Sequence, residues 1–194
     1  VSATRKANGP GVNEAARAGV MIQQLAQNAS TITQSFDNAG NIIIAGVSVL
    51  TATQLNASFN DGFVTVLQQN ISRAHEAVQS FENSGTILIS ESWAAKSADV
   101  STITARIGPV TLQEAFPNAT QSADQAWLNK GKLGIALSAS AQGFSAFAGE
   151  NFSFGAGLMD QDAPGGAVTQ SLTNSGSIAF TVAENARATG GNAR

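Results

Sequence analysis

Ser35-Phe36-Asp37-Asn38-Ala39-Gly40-Asn41-Ile42 returns three more times along the chain, and that recurrence decides the fold. The other copies are Ser80-Phe81-Glu82-Asn83-Ser84-Gly85-Thr86-Ile87, Ala126-Trp127-Leu128-Asn129-Lys130-Gly131-Lys132-Leu133 and Ser171-Leu172-Thr173-Asn174-Ser175-Gly176-Ser177-Ile178. Their asparagines stand at 38, 83, 129 and 174, so the steps are 45, 46 and 45 residues. A constant period of this size marks a repeat architecture. Each unit contacts mainly its neighbours, which predicts an elongated body with extended faces instead of one deep pocket. That weighs against an enzyme.

Each column of the phrase has a physical task. After the turn, Ile42/Ile44, Ile87/Ile89, Leu133/Ile135 and Ile178/Phe180 alternate with smaller or polar residues. Period two with Ile and Leu inward is a β-strand with one buried face. Phe36, Phe81, Trp127 and Leu172 put one large apolar group before each turn, a predicted core stack. Asn38, Asn83, Asn129 and Asn174 suit tight turns; placed one above another, they predict an amide ladder. Gly40, Gly85, Gly131 and Gly176 predict a backbone position with positive φ, which glycine reaches without a Cβ clash.

Counting ten residues past the aromatic column gives Gly46, Glu91, Leu137 and Val182, and one period before Gly46 stands Val1. The units are therefore about 1–45, 46–90, 91–136 and 137–181, with a partial fifth at 182–194, in one repeat domain over 1–194. Lys6, Thr51, Lys96, Gln142 and Arg187 are predicted to share one column. The opening nine residues, from Val1 to Gly9, resemble the closing stretch from Val182 to Gly190. Terminal repeats of such proteins carry polar caps, and none is evident here. Partners are expected to cover both ends, or the chain is a section of a longer array; the start at Val1 reads as a processed or excised end.

The second half of each unit is less regular. Residues 13–28 and 66–81 have helix-compatible spacing, but their equivalents contain Pro117 in the third unit and Gly155, Gly157, Pro164, Gly165 and Gly166 in the fourth. A repeat cannot be helical in two copies and broken by Pro and Gly in the others, so strands and turns are predicted. Gly19, Gly62 and Gly108, followed by Gln23, Gln68 and Gln113, form a second turn-and-strand signal. This predicts two coils of about 22 residues per unit, with one wide coil as the other arrangement.

Composition narrows the function classes. Apolar residues make up 43% of the chain, enough for a core, whereas charged residues make up 12%, against roughly 25% in an average soluble domain. The net charge is −3 with ten scattered Lys and Arg, so no basic stripe follows a phosphate backbone and nucleic acid is disfavoured. With no cysteine there is no disulfide, thiol catalysis or Cys-ligated zinc. The longest apolar run, residues 42–47, is far short of the roughly 20 residues of a membrane helix and reads as a strand.

Candidate chemistry is sparse. His75, the single histidine, needs a nucleophile or carboxylate partner to act as a base; Glu76 beside it points the other way on a strand. A surface or turn histidine is the simpler reading. Asp160 and Asp162, near Gly165-Gly166, are weak candidates for a calcium turn, but the motif occurs once and a solvated loop explains it. No pair of acids flanks a basic residue in adjacent units as sugar-cleaving solenoids require, so no catalytic residue and no cofactor are assigned. Thr31-Ile32-Thr33, Thr51-Ala52-Thr53 and Thr102-Ile103-Thr104 fall at different phases and cannot form one ice-binding ladder. Sequons at Asn28, Asn56, Asn70, Asn118 and Asn151 share no phase either.

The pattern Ser-(Phe/Leu)-x-Asn-(Ser/Ala)-Gly-x-Ile, followed by Ala- and Ser-rich alternation, resembles the repetitive surface and secreted proteins of Gram-negative bacteria. These include β-strand-repeat, autotransporter-passenger-like and filamentous-adhesin-like proteins. The resemblance covers essentially the whole chain. It implies an all-β parallel β-solenoid (β-helix), export to the cell exterior, and a stalk, fibre, sheath or adhesin role without catalytic residues. The third unit departs from the pattern at Trp127, Lys130 and Lys132.

The leading expectation is thus an extracellular structural or adhesive protein whose partners are copies of itself, stacked end to end. Strand edges left open at the ends of a stack are templates for pairing. Two alternatives stand beside it. One is a carbohydrate-binding or carbohydrate-processing β-helix, with Trp93 or Trp127 as a platform for surface glycans; packing in the core is the simpler role for both. The other is a β-sandwich fibre subunit.

Overall fold

The computed structural model describes residues 2–9, 12–17, 20–53, 57–62, 65–107, 110–116, 122–148, 153–154, 159–163 and 166–193. The chain is all-β. The first round of strands is β1 (Ser2–Gly9), β2 (Val12–Arg17), β3 (Val20–Gln27) and β4 (Thr31–Asn38). The second is β5 (Asn41–Ala52), β6 (Ala57–Gly62), β7 (Thr65–Ser72) and β8 (Glu76–Asn83). The third is β9 (Thr86–Lys96), β10 (Val100–Ile107), β11 (Thr111–Phe116) and β12 (Ser122–Asn129). The fourth is β13 (Lys132–Gly143), β14 (Ser145–Ala148), β15 (Ser153–Phe154), β16 (Met159–Asp162) and β17 (Ala167–Asn174), and β18 (Ser177–Ala188) begins a fifth.

Four parallel sheets collect one strand from each round. Sheet A runs β1-β5-β9-β13-β18, and sheet B runs β2-β6-β10-β14 with β15 also on β10. Sheet C runs β3-β7-β11-β16, and sheet D runs β4-β8-β12-β17. In chain order the strands visit A, B, C and D in fixed rotation. All the described strand pairings are parallel, without the antiparallel pairs a β-sandwich is built from.

The spacing of paired residues corrects the expectation of two coils per unit. Partners lie between 43 residues apart, as in Ser2↔Ala45, and 48 apart, as in Thr111↔Met159; none of the described strand pairs lies near half the period. One unit therefore supplies one strand to each sheet. Gly62 ends β6 and Gln68 sits in β7, so that signal marks a corner between sheets B and C; Gly19 and Gly108 lie outside the described residues. The column containing Gln23 and Gln68 is also corrected, because Gln113 pairs with Gln69.

Alternation puts one face of each strand inside. In β13 the buried residues are Leu133, Ile135, Leu137, Ala139 and Ala141, and in β12 they are Ala123, Gln125, Trp127 and Asn129. The main apolar cluster joins Ile44, Leu50, Leu67, Phe81, Ile87, Ile89, Trp93, Ile103 and Trp127 across the sheets. A smaller cluster of Ile32, Ile71, Ala74, Ala77, Ala115 and Ala123 fills the corner between C and D.

The turn after each asparagine stacks as closely as the strands do. The amides of Ser84 and Gly85 donate to the Asn38 carbonyl at 2.9 and 2.8 Å, and Thr86 donates to the Gly40 carbonyl at 2.8 Å. The same bonds recur from Lys130, Gly131 and Lys132 to Asn83 and Gly85, and from Ser175, Gly176 and Ser177 to Asn129 and Gly131. This overturns the reason given for the glycine column. None of Gly40, Gly85, Gly131 and Gly176 has positive φ; among the described glycines only Gly166 does. A Cβ on Gly85 would instead overlap the Gly40 carbonyl oxygen, and Gly131 and Gly176 meet the same obstacle on the turn before them. Gly40, with no turn on that side, has open space.

The basic column needs a smaller correction. Thr51, Lys96, Gln142 and Arg187 do align, but Lys6 faces Val49, two residues from the expected position. A shift of two keeps the same face of the strand inward.

Candidate assembly surface

The repeated phrase begins in sheet D, whose inward columns hold rows of hydrogen-bonded side-chain amides. Asn38 Nδ2 donates to Asn83 Oδ1, Asn83 to Asn129, and Asn129 to Asn174, each at 2.7 Å. The same nitrogens also donate to the backbone carbonyls of Thr86, Lys132 and Ser177, which fixes each amide's orientation. Two residues earlier, Phe36, Phe81 and Trp127 stack with ring centroids 5.7 and 5.5 Å apart and planes within 12° and 15°. Offset stacking of this kind adds about 0.5–1.5 kcal/mol per pair beyond area burial. Trp127 Nε1 is buried with no hydrogen-bond partner. Leu172 pairs with Trp127 in register but is 59% exposed, so the fourth member of the expected core stack lies at the surface.

Two glutamine ladders were not foreseen from the sequence. In sheet C, Gln161 donates to Gln113, Gln113 to Gln69 and Gln69 to Gln24, at 2.7, 2.8 and 2.8 Å. In sheet D, Gln170 donates to Gln125, Gln125 to Gln79 and Gln79 to Gln34, at 2.8, 2.8 and 3.1 Å. The ladders brace C against D: Gln69 reaches the Ser80 carbonyl, Gln79 the Glu114 carbonyl and Gln125 the Gln113 carbonyl. Buried side-chain amides are costly unless bonded; here each bond comes from the next copy of the same residue, as in stacked cross-β arrays. The signal was present as glutamines at similar phase, but steps of 45, 44 and 48 in sheet C concealed it.

The two ends of the stack differ. In the first round Ile32, Gln34 and Asn38 are buried, with the second round covering them. In the last, the inward columns of β17 and β18 are uncovered: Val168, Leu172, Phe180 and Val182 are all exposed, as are Gln170 and Asn174. Among the described strand pairings, β1 to β4 stand at one margin of their sheets and β16 to β18 at the other.

The remaining candidates are placed elsewhere. His75 lies in the turn before β8, where its amide and that of Glu76 donate to the Ser30 carbonyl at 2.9 Å. Asp160 and Asp162 lie on one face of β16, beside Leu112 and Glu114; among the described residues no three His, Asp or Glu side chains group to hold a metal. Trp93 and Trp127 are 3% and 2% exposed, so neither offers a ring face to a sugar. Asn28 is in an exposed turn and Asn70 in β7, while Asn56, Asn118 and Asn151 lie outside the described residues. The irregular third unit joins the stack: Trp127 enters the aromatic column, and Lys130 pairs with Glu82 at 2.7 Å. A shallow groove of about 380 Å³ runs along the stacked turns by Ser84, Lys130, Lys132 and Ser177. No helix in the described residues is long and apolar enough to cross a membrane.

Against protein-family models, curated proteins and solved structures, the chain finds no match in any of the three comparisons.

Proposed function

We propose that this chain is a parallel β-solenoid, one four-sided coil per repeat, serving as a structural or adhesive element of an extracellular fibre. The fixed rotation through four parallel sheets, with every strand pairing one repeat ahead, is the observation that carries the reading. Such a body gains stability with each coil, because about 1.5–3 kcal/mol accompanies each large apolar side chain buried. Its ends keep strand edges that further coils complete, by strand addition of the kind known for open sheets. The low charge content, with a polar surface rich in Ser, Thr, Asn and Gln, and the resemblance to repetitive bacterial surface proteins support the extracellular placement.

Negative-stain microscopy across a concentration series tests the reading. Elongated particles that lengthen as concentration rises are expected. Compact particles that never associate would overturn it.

A further inference from the structure

We infer that a second copy of this chain docks on the exposed last round in one direction only, first round onto last, with the amide ladders running on across the joint. The inference rests on the fibre reading above and adds its direction, its register and the strand that must yield.

Direction comes from the ladders. The asparagine row donates toward the C-terminal end, so Asn174 Nδ2 is the donor left at that end and Asn38 Oδ1 the acceptor left at the other. Both glutamine rows donate the opposite way, so the C-terminal end presents the Oε1 atoms of Gln161 and Gln170. The N-terminal end presents the amide nitrogens of Gln24 and Gln34, whose bonds to the Ser35 and Asn70 carbonyls hold them in that orientation. Placing the first round on the last therefore matches donor to acceptor in all three rows. Last on last would set asparagine donor against asparagine donor, and first on first would set glutamine donor against glutamine donor.

Register follows from the same columns. Asn174 meets Asn38 of the second copy, Gln170 meets Gln34, Leu172 meets Phe36 and Phe180 meets Ile44. These contacts cover Leu172 and Phe180, which are 59% and 45% exposed in the single chain. The face they form consists of inward-column residues, the kind of surface another round of the same repeat complements.

One strand must give way. β1 pairs with β5 from Ala45 to Ala52, and in a continued stack β18 of the lower copy fills the layer that β1 of the upper copy already holds. The second half of β18, from about Val182, and β1 are competing occupants of one slot in sheet A. The opening from Val1 resembles the closing stretch from Val182, but β1 sits two residues out of that alignment, so Ser2 and Thr181 are the residues that compete for the position beside Ala45.

The chain has no cysteine, so disulfide trapping reads the joint directly. Ser35 and Ser171 are exposed, face outward in one column of sheet D, and stand three strand spacings apart, roughly 14 Å, within a chain. That is too far for an internal disulfide, whereas across the joint they become adjacent. An oxidised mixture of Ser35→Cys and Ser171→Cys chains is expected to give covalent dimers, and neither variant alone should. Dimers from either variant alone, or none from the mixture while long particles still form, would overturn the inference and leave the fibre reading standing. Unassociated particles throughout would overturn both. Removing residues 1–9, or alternatively 183–194, is expected to lower the concentration at which particles lengthen. A threshold unchanged or raised by both truncations would overturn the shared slot.

Discussion

Sheets C and D, lined by amide ladders, keep their columns where chain spacing varies; sheet A, lined by aliphatic side chains, lets a strand slide. In sheet C the ladder glutamines are separated by 45, 44 and 48 residues and still bond one above another. In sheet A, β1 sits two residues away from the phase the repeat dictates. The difference teaches what sets register. An aliphatic column is nearly indifferent to which Ile, Val or Ala lies above which, provided the inward face stays inward. A buried amide that misses its partner leaves polar atoms unpaired, at about 1–3 kcal/mol each. Apolar columns supply most of the cohesion, and the amides supply the alignment.

The sharpest way to break this contrast is at the corner joining D to A. Gly131→Val places a branched side chain against the Gly85 carbonyl, and a loss above about 4 kcal/mol in chemical denaturation is expected. Gly40→Ala, at the same column but facing open space, should stay within about 1 kcal/mol. Similar losses for the two would refute close backbone approach as the reason for glycine.

A buried ladder member comes next. Gln79→Ala removes bonds to Gln34, Gln125 and the Glu114 carbonyl, and should cost about 2–4 kcal/mol. Amide hydrogen exchange should quicken in both C and D. Ile135→Val in sheet A should cost only about 0.5–1.5 kcal/mol, and exchange in sheet D should not change. Equal disturbance of D by both substitutions would erase the distinction between cohesion and alignment.

The smallest effect is a gain. Arg73 holds φ at 55° in the turn between β7 and β8, a left-handed conformation that costs a non-glycine residue roughly 1–2 kcal/mol. Arg73→Gly should therefore raise stability by up to about 1 kcal/mol, after the entropy glycine loses on folding. A lower melting temperature would count against that account.

The sequence made some of this legible for physical reasons. Asn38, Asn83, Asn129 and Asn174 are flanked by the same turn in every copy, so their alignment was readable from spacing alone. The glycine column was readable as a position but not as a cause, because positive φ and close backbone approach both select glycine. The sheet C glutamine row stayed hidden because it aligns through hydrogen bonds across steps of 45, 44 and 48 residues. The sheet D row keeps the asparagines' own steps of 45, 46 and 45 and was legible four residues before each of them. The number of coils per unit was misread because a corner between two sheets carries the same glycine signal as the start of a new layer. The uncovered state of Leu172 was invisible too, since it depends on what lies above the residue and not on the residue itself.

The opposed directions of the amide rows have an electrical consequence. In an α-helix every peptide dipole points the same way and partial charge accumulates at the termini. Here one asparagine row points toward the C-terminal end and two glutamine rows point away from it, so their side-chain dipoles partly cancel. Adding layers extends the hydrogen-bonded rows without building an equivalent voltage between the two ends.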